Sequence, residues 1–271
     1  MKKTLILIVA IISIVACKND VKSEDTVVIH DTVEVSEIEN TTPTYPEALA
    51  AIFEAHGGID TWTTMNNLCY QIEGRSGTET HTTDLKNRKA KIEHKDWSIG
   101  YDGEDVWLLQ NKPDSYQGNA RFYHNLMFYF YAMPFILADD GIEYSTVAET
   151  ELDGKMYKGI KIGYKANVGD TPEDEYILFY DTETNKMEWL AYTVTFKTGE
   201  KSDDWRFIKY SNWQELNGLI LPETLTWYNV ENGAPTSKRN DMEFTKVTIS
   251  TLTLDDTVFA KPEAATVIPK E

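Results

Sequence analysis

Residues 119–139 read NARFYHNLMFYFYAMPFILAD, and this stretch decides how the rest of the chain must be arranged. From Leu126 to Ala138 every position is apolar or aromatic. The composition predicts a helix, which Pro134 should kink or divide. A helix that is apolar on every side cannot lie on a surface with one face in water. We therefore expect the segment to be surrounded by protein, inside the concave face of a sheet.

The sequence after Trp62 supplies that sheet. Turn pairs that suit tight hairpins recur at Asp102-Gly103, Asp153-Gly154, Asn217-Gly218 and Asn232-Gly233. The β-rich runs are 68–73, 88–95, 106–110, 156–164, 175–180, 187–197, 204–213, 220–229 and 242–254. These runs predict a mainly β fold with a few helices, in the α+β class. We expect a large curved antiparallel sheet or an unclosed β-barrel, with the apolar inserted helix covering or plugging its concave face.

One further helix is predicted at the start of this region, over Tyr45–His56. Pro46 suits a first-turn position, and Gly57 and Gly58 should end the helix. His56 lies in its last turn, where a cation can favour the negative end of the helix dipole. The position therefore needs no catalytic explanation.

The first twenty residues have the pattern of a bacterial lipoprotein leader. Lys2 and Lys3 precede the apolar run Leu5–Val15, and Ala16 is followed directly by Cys17. The run is shorter than the roughly 20 residues that a membrane-spanning helix needs. We expect residues 1–16 to be a signal peptide and the thiol of Cys17 to be lipidated.

The remaining domain divisions follow from composition. Residues 17–44 are rich in Asp, Glu, Ser and Thr without lasting periodicity, which predicts a disordered acidic tether after the lipid. An alternative is that residues 26–30 form a docked strand. Residues 45–262 are expected to form a single β-rich domain, followed by a C-terminal tail, 263–271.

Charge and cysteine content exclude several functions. The formal net charge is −18, and loss of the leader with its two lysines would make the chain more acidic. Nucleic acid binding requires Lys and Arg to neutralise phosphates, so no nucleic acid partner is expected. The only cysteines are Cys17 and Cys69. Lipidation of the first leaves no intrachain disulfide, and Cys69 is expected to be a small core residue.

No catalytic motif stands out. The chain lacks a Gly-x-Ser-x-Gly elbow, a His-Glu-x-x-His zinc helix, a phosphate loop and a Cys-x-x-Cys pair. The five histidines lack ligand spacing, although His81 and His94 could face each other across a hairpin. The acidic stretch 169–175 does not match a calcium loop and is expected to be a solvated turn. We predict no catalytic residue, no metal and no cofactor.

Four short stretches carry a family resemblance: EAHGGIDTW at 54–62, YDGEDVW at 101–107, MPFILAD at 133–139 and DDTVFAKP at 255–262. With them the chain resembles uncharacterised Bacteroidota lipoproteins related to the LolA-like, lipoprotein-localisation superfamily. The resemblance implies an unclosed β-barrel whose apolar cavity holds lipid or acyl chains, without catalysis. No functional arginine can be transferred, because Arg75 and Arg88 are equally eligible.

These observations lead to one functional expectation with two alternatives. We expect a lipid-anchored cell-envelope protein that binds a lipid, acyl chain or other hydrophobic ligand. We expect the protein to be located at the outer membrane. The sequence does not indicate which membrane face it occupies, which protein partner it has or which ligand it binds. The alternatives are a non-catalytic interaction scaffold with a closed core, and a glycan-active enzyme. The candidate cavity or plug residues are Phe122, Leu126, Phe128, Phe130, Met133, Phe135 and Leu137.

Overall fold

The computed structural model of the protein describes residues 45–74, 76–165 and 171–270. The predicted leader, the predicted lipidation site Cys17 and the predicted tether lie outside the described residues, as do Arg75 and the first part of the acidic stretch. The described residues fall within the compact unit Thr44–Glu271. None of the helices in this part of the chain is long and apolar enough to cross a bilayer.

Two helices open the described region. Helix α1 spans Glu47–Ala55 and helix α2 spans Ile59–Thr64, with Pro46 at the N-cap of the first. The intervening Gly57 and Gly58 have φ values of 102° and 88°, a conformation that favours glycine and ends α1 as predicted. Apolar side chains of α1 are fully buried, which anchors both helices to the core.

The first sheet has seven strands, and all of its neighbouring strands are antiparallel. Its order is β13-β1-β2-β3-β4-β5-β14, so two strands from the end of the chain flank five from its beginning. The strands are β1 Asn67–Gly74, β2 Gly77–Asp84, β3 Ala90–Glu93, β4 Trp97–Tyr101, β5 Val106–Gln110, β13 Thr245–Ser250 and β14 Thr266–Ile268.

The second sheet also has seven antiparallel strands, which follow one another as a simple meander from β6 to β12. They are β6 Ile142–Leu152, β7 Lys155–Tyr164, β8 Tyr176–Tyr180, β9 Met187–Tyr192, β10 Arg206–Leu216, β11 Leu219–Glu231 and β12 Ala234–Glu243. Both residues of the pairs Asp153-Gly154, Asn217-Gly218 and Asn232-Gly233 have positive φ, as tight hairpin turns require. The mainly β, antiparallel fold class is confirmed, and the two sheets are not closed into a barrel.

The apolar segment is divided more finely than the sequence predicts. It forms helix α3 at Ala120–Tyr123, helix α4 at Leu126–Tyr131 and a 3-10 turn at Phe135–Ala138. The expectation was a helix that Pro134 kinks or divides, and Pro134 does lie between α4 and the 3-10 turn. The earlier break lies at His124 and Asn125, between α3 and α4. Asn119 caps the start of α3, where its side chain accepts a hydrogen bond from the Phe122 amide at 3.0 Å.

This segment fills the space between the sheets. One core cluster joins it to side chains of α1, of the first sheet and of the second sheet. Phe135 is fully buried and stacks on Trp62, with ring centroids 4.8 Å apart and planes 6° apart. The hydroxyl of Tyr210 on β10 donates to the Phe130 carbonyl at 2.6 Å. The contacts make the segment part of the core on which both sheets depend.

Candidate ligand-binding site

A cavity of about 300 Å³ lies at the outer side of the apolar segment and opens to solvent. Its lining combines one apolar wall with one charged and phenolic wall. The lining residues are Arg88, Tyr101, Arg121, Phe122, His124, Asn125, Leu126, Tyr129, Ile136, Asp139, Asp140, Ile142, Tyr164, Thr171, Asp174, Tyr176, Phe196 and Lys270.

The apolar wall comes mainly from helices α3 and α4. Phe122 comes from α3, whereas Leu126 and Tyr129 are three residues apart on α4, a spacing that brings side chains to one side of a helix. Phe196, in the loop after β9, packs against Phe122 with ring centroids 5.0 Å apart. All four side chains are only half-buried, so they present apolar surface to the cavity.

Arg88 dominates the opposite wall. It lies in the turn between β2 and β3 with φ of 59°, and its guanidinium is over the Phe128 ring, 5.2 Å from the centroid. Its Nη2 donates to the carboxylate of Asp139, whereas its buried Nη1 has no hydrogen-bond partner within the described residues. Burial raises the pKa of Asp139, and Arg88 opposes this shift. One hydrogen-bond donor of this lining residue therefore remains unsatisfied.

The other ionisable lining groups are held in place by their surroundings. Asp174 accepts hydrogen bonds from the amide and the hydroxyl of Thr195 at 2.6 and 2.7 Å. Arg121 and His124 are both buried, with 7% of each residue exposed. The Tyr101 ring packs against His124 at 5.6 Å. Polar groups that are held in this way suit the orientation of a bound molecule.

Two tyrosines, Tyr164 on β7 and Tyr176 on β8, complete the phenolic part of the wall. Burial raises the pKa of both, so both phenols stay neutral at physiological pH. Their rings are 6.1 Å apart. Within the described residues, no group of His, Cys, Asp and Glu could hold a metal ion. The arrangement offers apolar contact and hydrogen bonds, which are the means of binding a small molecule.

The seven residues predicted as cavity or plug residues separate into two groups. Phe122 and Leu126 line the cavity. The other five lie in the core with at most 4% of their surface exposed: Phe128, Phe130, Met133, Phe135 and Leu137. The apolar segment thus contributes one layer to the core and one edge to the cavity.

The histidines behave differently from the sequence expectations. His81 is opposite Ile92 rather than His94, and its Nε2 lies 3.3 Å from the Glu79 carboxylate. His94 lies beyond β3, where its Nε2 is 3.2 Å from the backbone oxygen of Ser76. The two imidazoles therefore do not face each other across the β2–β3 hairpin, which the sequence had left possible. The strand register places them at different positions along the sheet.

His56 is buried at the end of α1 and takes part in the core. The Met187 amide donates to its Nε2 at 3.2 Å, so its Nδ1 carries the proton and donates to the Ile220 carbonyl at 3.1 Å. Burial lowers the pKa of His56 to about 4. The imidazole is therefore neutral, and the expected charge interaction with the helix dipole is wrong. Its role in the fold is to connect α1 to the second sheet.

Sequence reasoning missed most of the polar wall. Arg88 was a candidate that could not be separated from Arg75, and Arg121, Tyr164 and Tyr176 were not singled out. These residues come from a turn, a short helix and two strands, and no motif relates their spacings. Only the register of the sheets brings them together.

Solved structures with a similar fold have low sequence identity to this chain. The LolA superfamily protein NE2245 from Nitrosomonas europaea is 10% identical, with a TM-score of 0.46 over 78% of this chain and 96% of that one. A DUF1329 family protein from Desulfovibrio piger is 12% identical, with a TM-score of 0.46 over 79% and 98% of the two chains.

A third similar structure is a putative outer membrane lipoprotein-sorting protein domain from Vibrio parahaemolyticus. It is 9% identical, with a TM-score of 0.39 over 76% of this chain and 96% of that one. No match was found among curated protein sequences. The family model described as a family of unknown function, DUF6503, matches residues 63–254, and the chain therefore belongs to that family.

Proposed function

We propose that the protein is a lipid-anchored cell-envelope protein that binds the apolar part of an amphiphilic molecule, without catalysis. The observation that carries this proposal is the cavity beside the apolar segment. Its volume of about 300 Å³ is at the lower end of the range for small-molecule sites. A short acyl chain, or a short part of a longer one, is the occupant that fits this volume best.

The two walls of the cavity support an amphiphile rather than a hydrocarbon. Phe122, Leu126 and Phe196 would cover the apolar part, at about 25 cal/mol for each Å² removed from water. The buried Nη1 of Arg88, which has no hydrogen-bond partner within the described residues, would donate a hydrogen bond to the polar head. Burial of modest apolar area then gives affinity, and the rim gives orientation.

The envelope location depends on the leader. Lipidation of Cys17 would hold the protein at a membrane, which we propose to be the outer membrane, and residues 17–44 would connect the lipid to the β-rich domain at 45–262. The chain is strongly acidic and would be repelled by anionic headgroups. The lipid rather than the protein surface would therefore provide the attachment.

The test uses the chain from Lys18 onward, which keeps every described residue. The purified protein is analysed by native mass spectrometry and, after organic extraction, by mass spectrometry of the lipids. Leu126→Glu places a charge in the apolar wall and should reduce bound lipid at least tenfold. Leu252→Glu is the matched control, because Leu252 is 73% exposed and does not line the cavity.

Near-stoichiometric lipid in the parent and the control, with loss in the Leu126 variant, would support the proposal. Equal lipid in both variants would contradict the location of the site. Protein that stays empty after incubation with envelope lipids would contradict the function.

One observation favours a second candidate, the interaction scaffold with a closed core. Five of the seven predicted cavity residues are packed into the core, and they leave only the edge of the segment at the cavity. In that case the cavity would be a surface depression, and binding would take place on the exterior. Empty protein in the same experiment would support this candidate.

A further inference from the structure

A second cavity, of about 240 Å³, lies on the second sheet and shares no lining residue with the first. It is formed where strands β9, β10, β11 and β12 run side by side. Its walls are two arginines, Arg206 and Arg239, and a surface made of Tyr192, Trp227, Tyr228 and Met242. The proposed function does not use this cavity.

The charge of this cavity is opposite to that of the chain. The chain has 44 Asp and Glu against 26 Lys and Arg, yet none of the described residues that line this cavity is acidic. Arg206 has one acidic neighbour, Asp204, at 3.6 Å, but 49% and 78% of the two side chains are exposed. A solvent-exposed ion pair at that distance contributes little interaction energy. Arg239 makes no ion pair within the described part of the chain.

A tyrosine hydroxyl adds a further donor between the arginines. The Tyr192 oxygen accepts a hydrogen bond from Nε1 of Trp227 at 3.0 Å, so its own proton is free to point at a ligand. Burial raises the pKa of Tyr192, and the hydrogen bond from Trp227 and the charges of Arg206 and Arg239 oppose that shift. The hydroxyl keeps its proton at physiological pH.

The remaining surface is apolar and flat. Trp227 is half-buried, and its ring is braced from below by Phe130 of helix α4, 5.9 Å away between centroids. Met242 packs against the same core cluster as Trp227, whereas Tyr228, the next residue on β11, packs against Trp189 with ring centroids 4.7 Å apart. The fixed indole of Trp227 offers its face to a planar group.

We propose that this cavity binds a carboxylate or a phosphate ester carried on a flat apolar body. The guanidinium groups of Arg206 and Arg239 would hold the anionic oxygens, since the planar fork of arginine matches both groups. The Tyr192 hydroxyl and the Asn240 amide would complete the donors, and Trp227 would stack on the body of the ligand. The site is independent of the lipid cavity of the proposed function.

The test compares three probes of similar shape on the full-length chain in a non-ionic detergent. The probes are benzoate, phenyl phosphate and the neutral benzamide. Binding is followed by the ¹H–¹⁵N signal of the Trp227 indole, assigned with Trp227→Phe. Benzoate or phenyl phosphate should shift this signal in a saturable way. The probe that binds more tightly identifies the anionic group that the site prefers.

Arg206→Gln and Arg239→Gln should each weaken binding of the anionic probes about tenfold, because each removes a charge-assisted hydrogen bond. Lys238→Gln is the matched control. It removes the same charge from the next position on β12, outside the cavity lining, and should leave binding unchanged. All three side chains are exposed, so none of these changes threatens the fold.

Equal shifts with benzamide would overturn the proposal, since they would show that the anionic group contributes nothing. Equal loss of binding in the Lys238 variant would also overturn it, because general electrostatic attraction would then explain the affinity. Absence of any saturable shift with both anionic probes would exclude the site.

Discussion

Lowering the pH from 7 to 5 is expected to weaken the fold through His56. The imidazole has none of its surface exposed, and its two ring nitrogens bond to Met187 and Ile220 of the second sheet. Its ring also packs against Trp213, with centroids 4.7 Å apart. If Nε2 were protonated, it could no longer accept the hydrogen bond from the Met187 amide. The imidazolium would then carry a positive charge in a site that water does not reach.

The expected magnitude follows from the pKa of His56, which burial lowers from 6.5 to about 4. Between these two values the unfolded chain binds more protons than the folded chain. Stability therefore rises with pH across this window. The contribution is complete above pH 6.5 and is lost as the pH falls towards 4. From pH 7 to pH 5 the loss is about 2 kcal/mol, and its upper limit at lower pH is about 3 kcal/mol.

Urea unfolding at pH 7 and pH 5, for the parent and for His56→Gln, measures this loss. The variant should be less stable than the parent at pH 7, since it loses buried hydrogen bonds. From pH 7 to pH 5, however, it should lose about 2 kcal/mol less stability than the parent loses. Burial also lowers the pKa of His81, which should add to the pH dependence of stability in the same direction. His81→Gln removes this second contribution and serves as the comparison. Equal pH dependence in the parent and the His56 variant would refute the reasoning, as would an NMR titration of His56 near pH 6.5.

Three further outcomes are expected, each measured by urea unfolding at pH 7. Gly57→Ala should destabilise the fold severely or prevent folding, because the new Cβ would lie 2.0 Å from a backbone oxygen. At Gly233 a new Cβ would have nothing within 4 Å, so Gly233→Ala should cost only about 1–2 kcal/mol of stability for its positive φ. Equal costs would contradict the packing. Phe135→Ala should cost about 3–5 kcal/mol, since it empties the stacked core, and a loss below 1 kcal/mol would contradict its place there. Tyr210→Phe should cost about 1–3 kcal/mol by leaving the Phe130 carbonyl without its donor, and a neutral result would contradict that bond.

Sequence alone predicted three of the four tight turns correctly. At Asp102-Gly103 only the glycine has positive φ, and the loop between β4 and β5 spans residues 102–105. Asp153-Gly154, Asn217-Gly218 and Asn232-Gly233 join adjacent strands with positive φ at both positions. Left-handed backbone is a property of one or two residues and their side chains, so it can be read without knowing the fold. The end of α1 at Gly57 and Gly58 follows for the same reason.

Strand β6 shows where local reading failed. Ile142–Leu152 is an edge strand, and most of its side chains are half-buried or exposed. Its sequence, IEYSTVAETEL, has only a weak alternation of apolar residues, and no strand was predicted there. A strand with little core surface is held by backbone pairing to β7, which side-chain pattern does not encode.

The sequence by itself determined that this chain is mainly β and that its apolar segment must be buried. Hydrophobic composition decides whether a segment can face water, and this holds in any fold. The tertiary structure alone decided that there are two sheets, with β13 paired to β1 and β14 to β5 from opposite ends of the chain. It also decided both cavities, because Arg88 and Tyr176, or Arg206 and Arg239, become neighbours only through strand register. Local preferences act over a few residues, whereas a binding site depends on distances of a few ångströms between residues far apart in sequence.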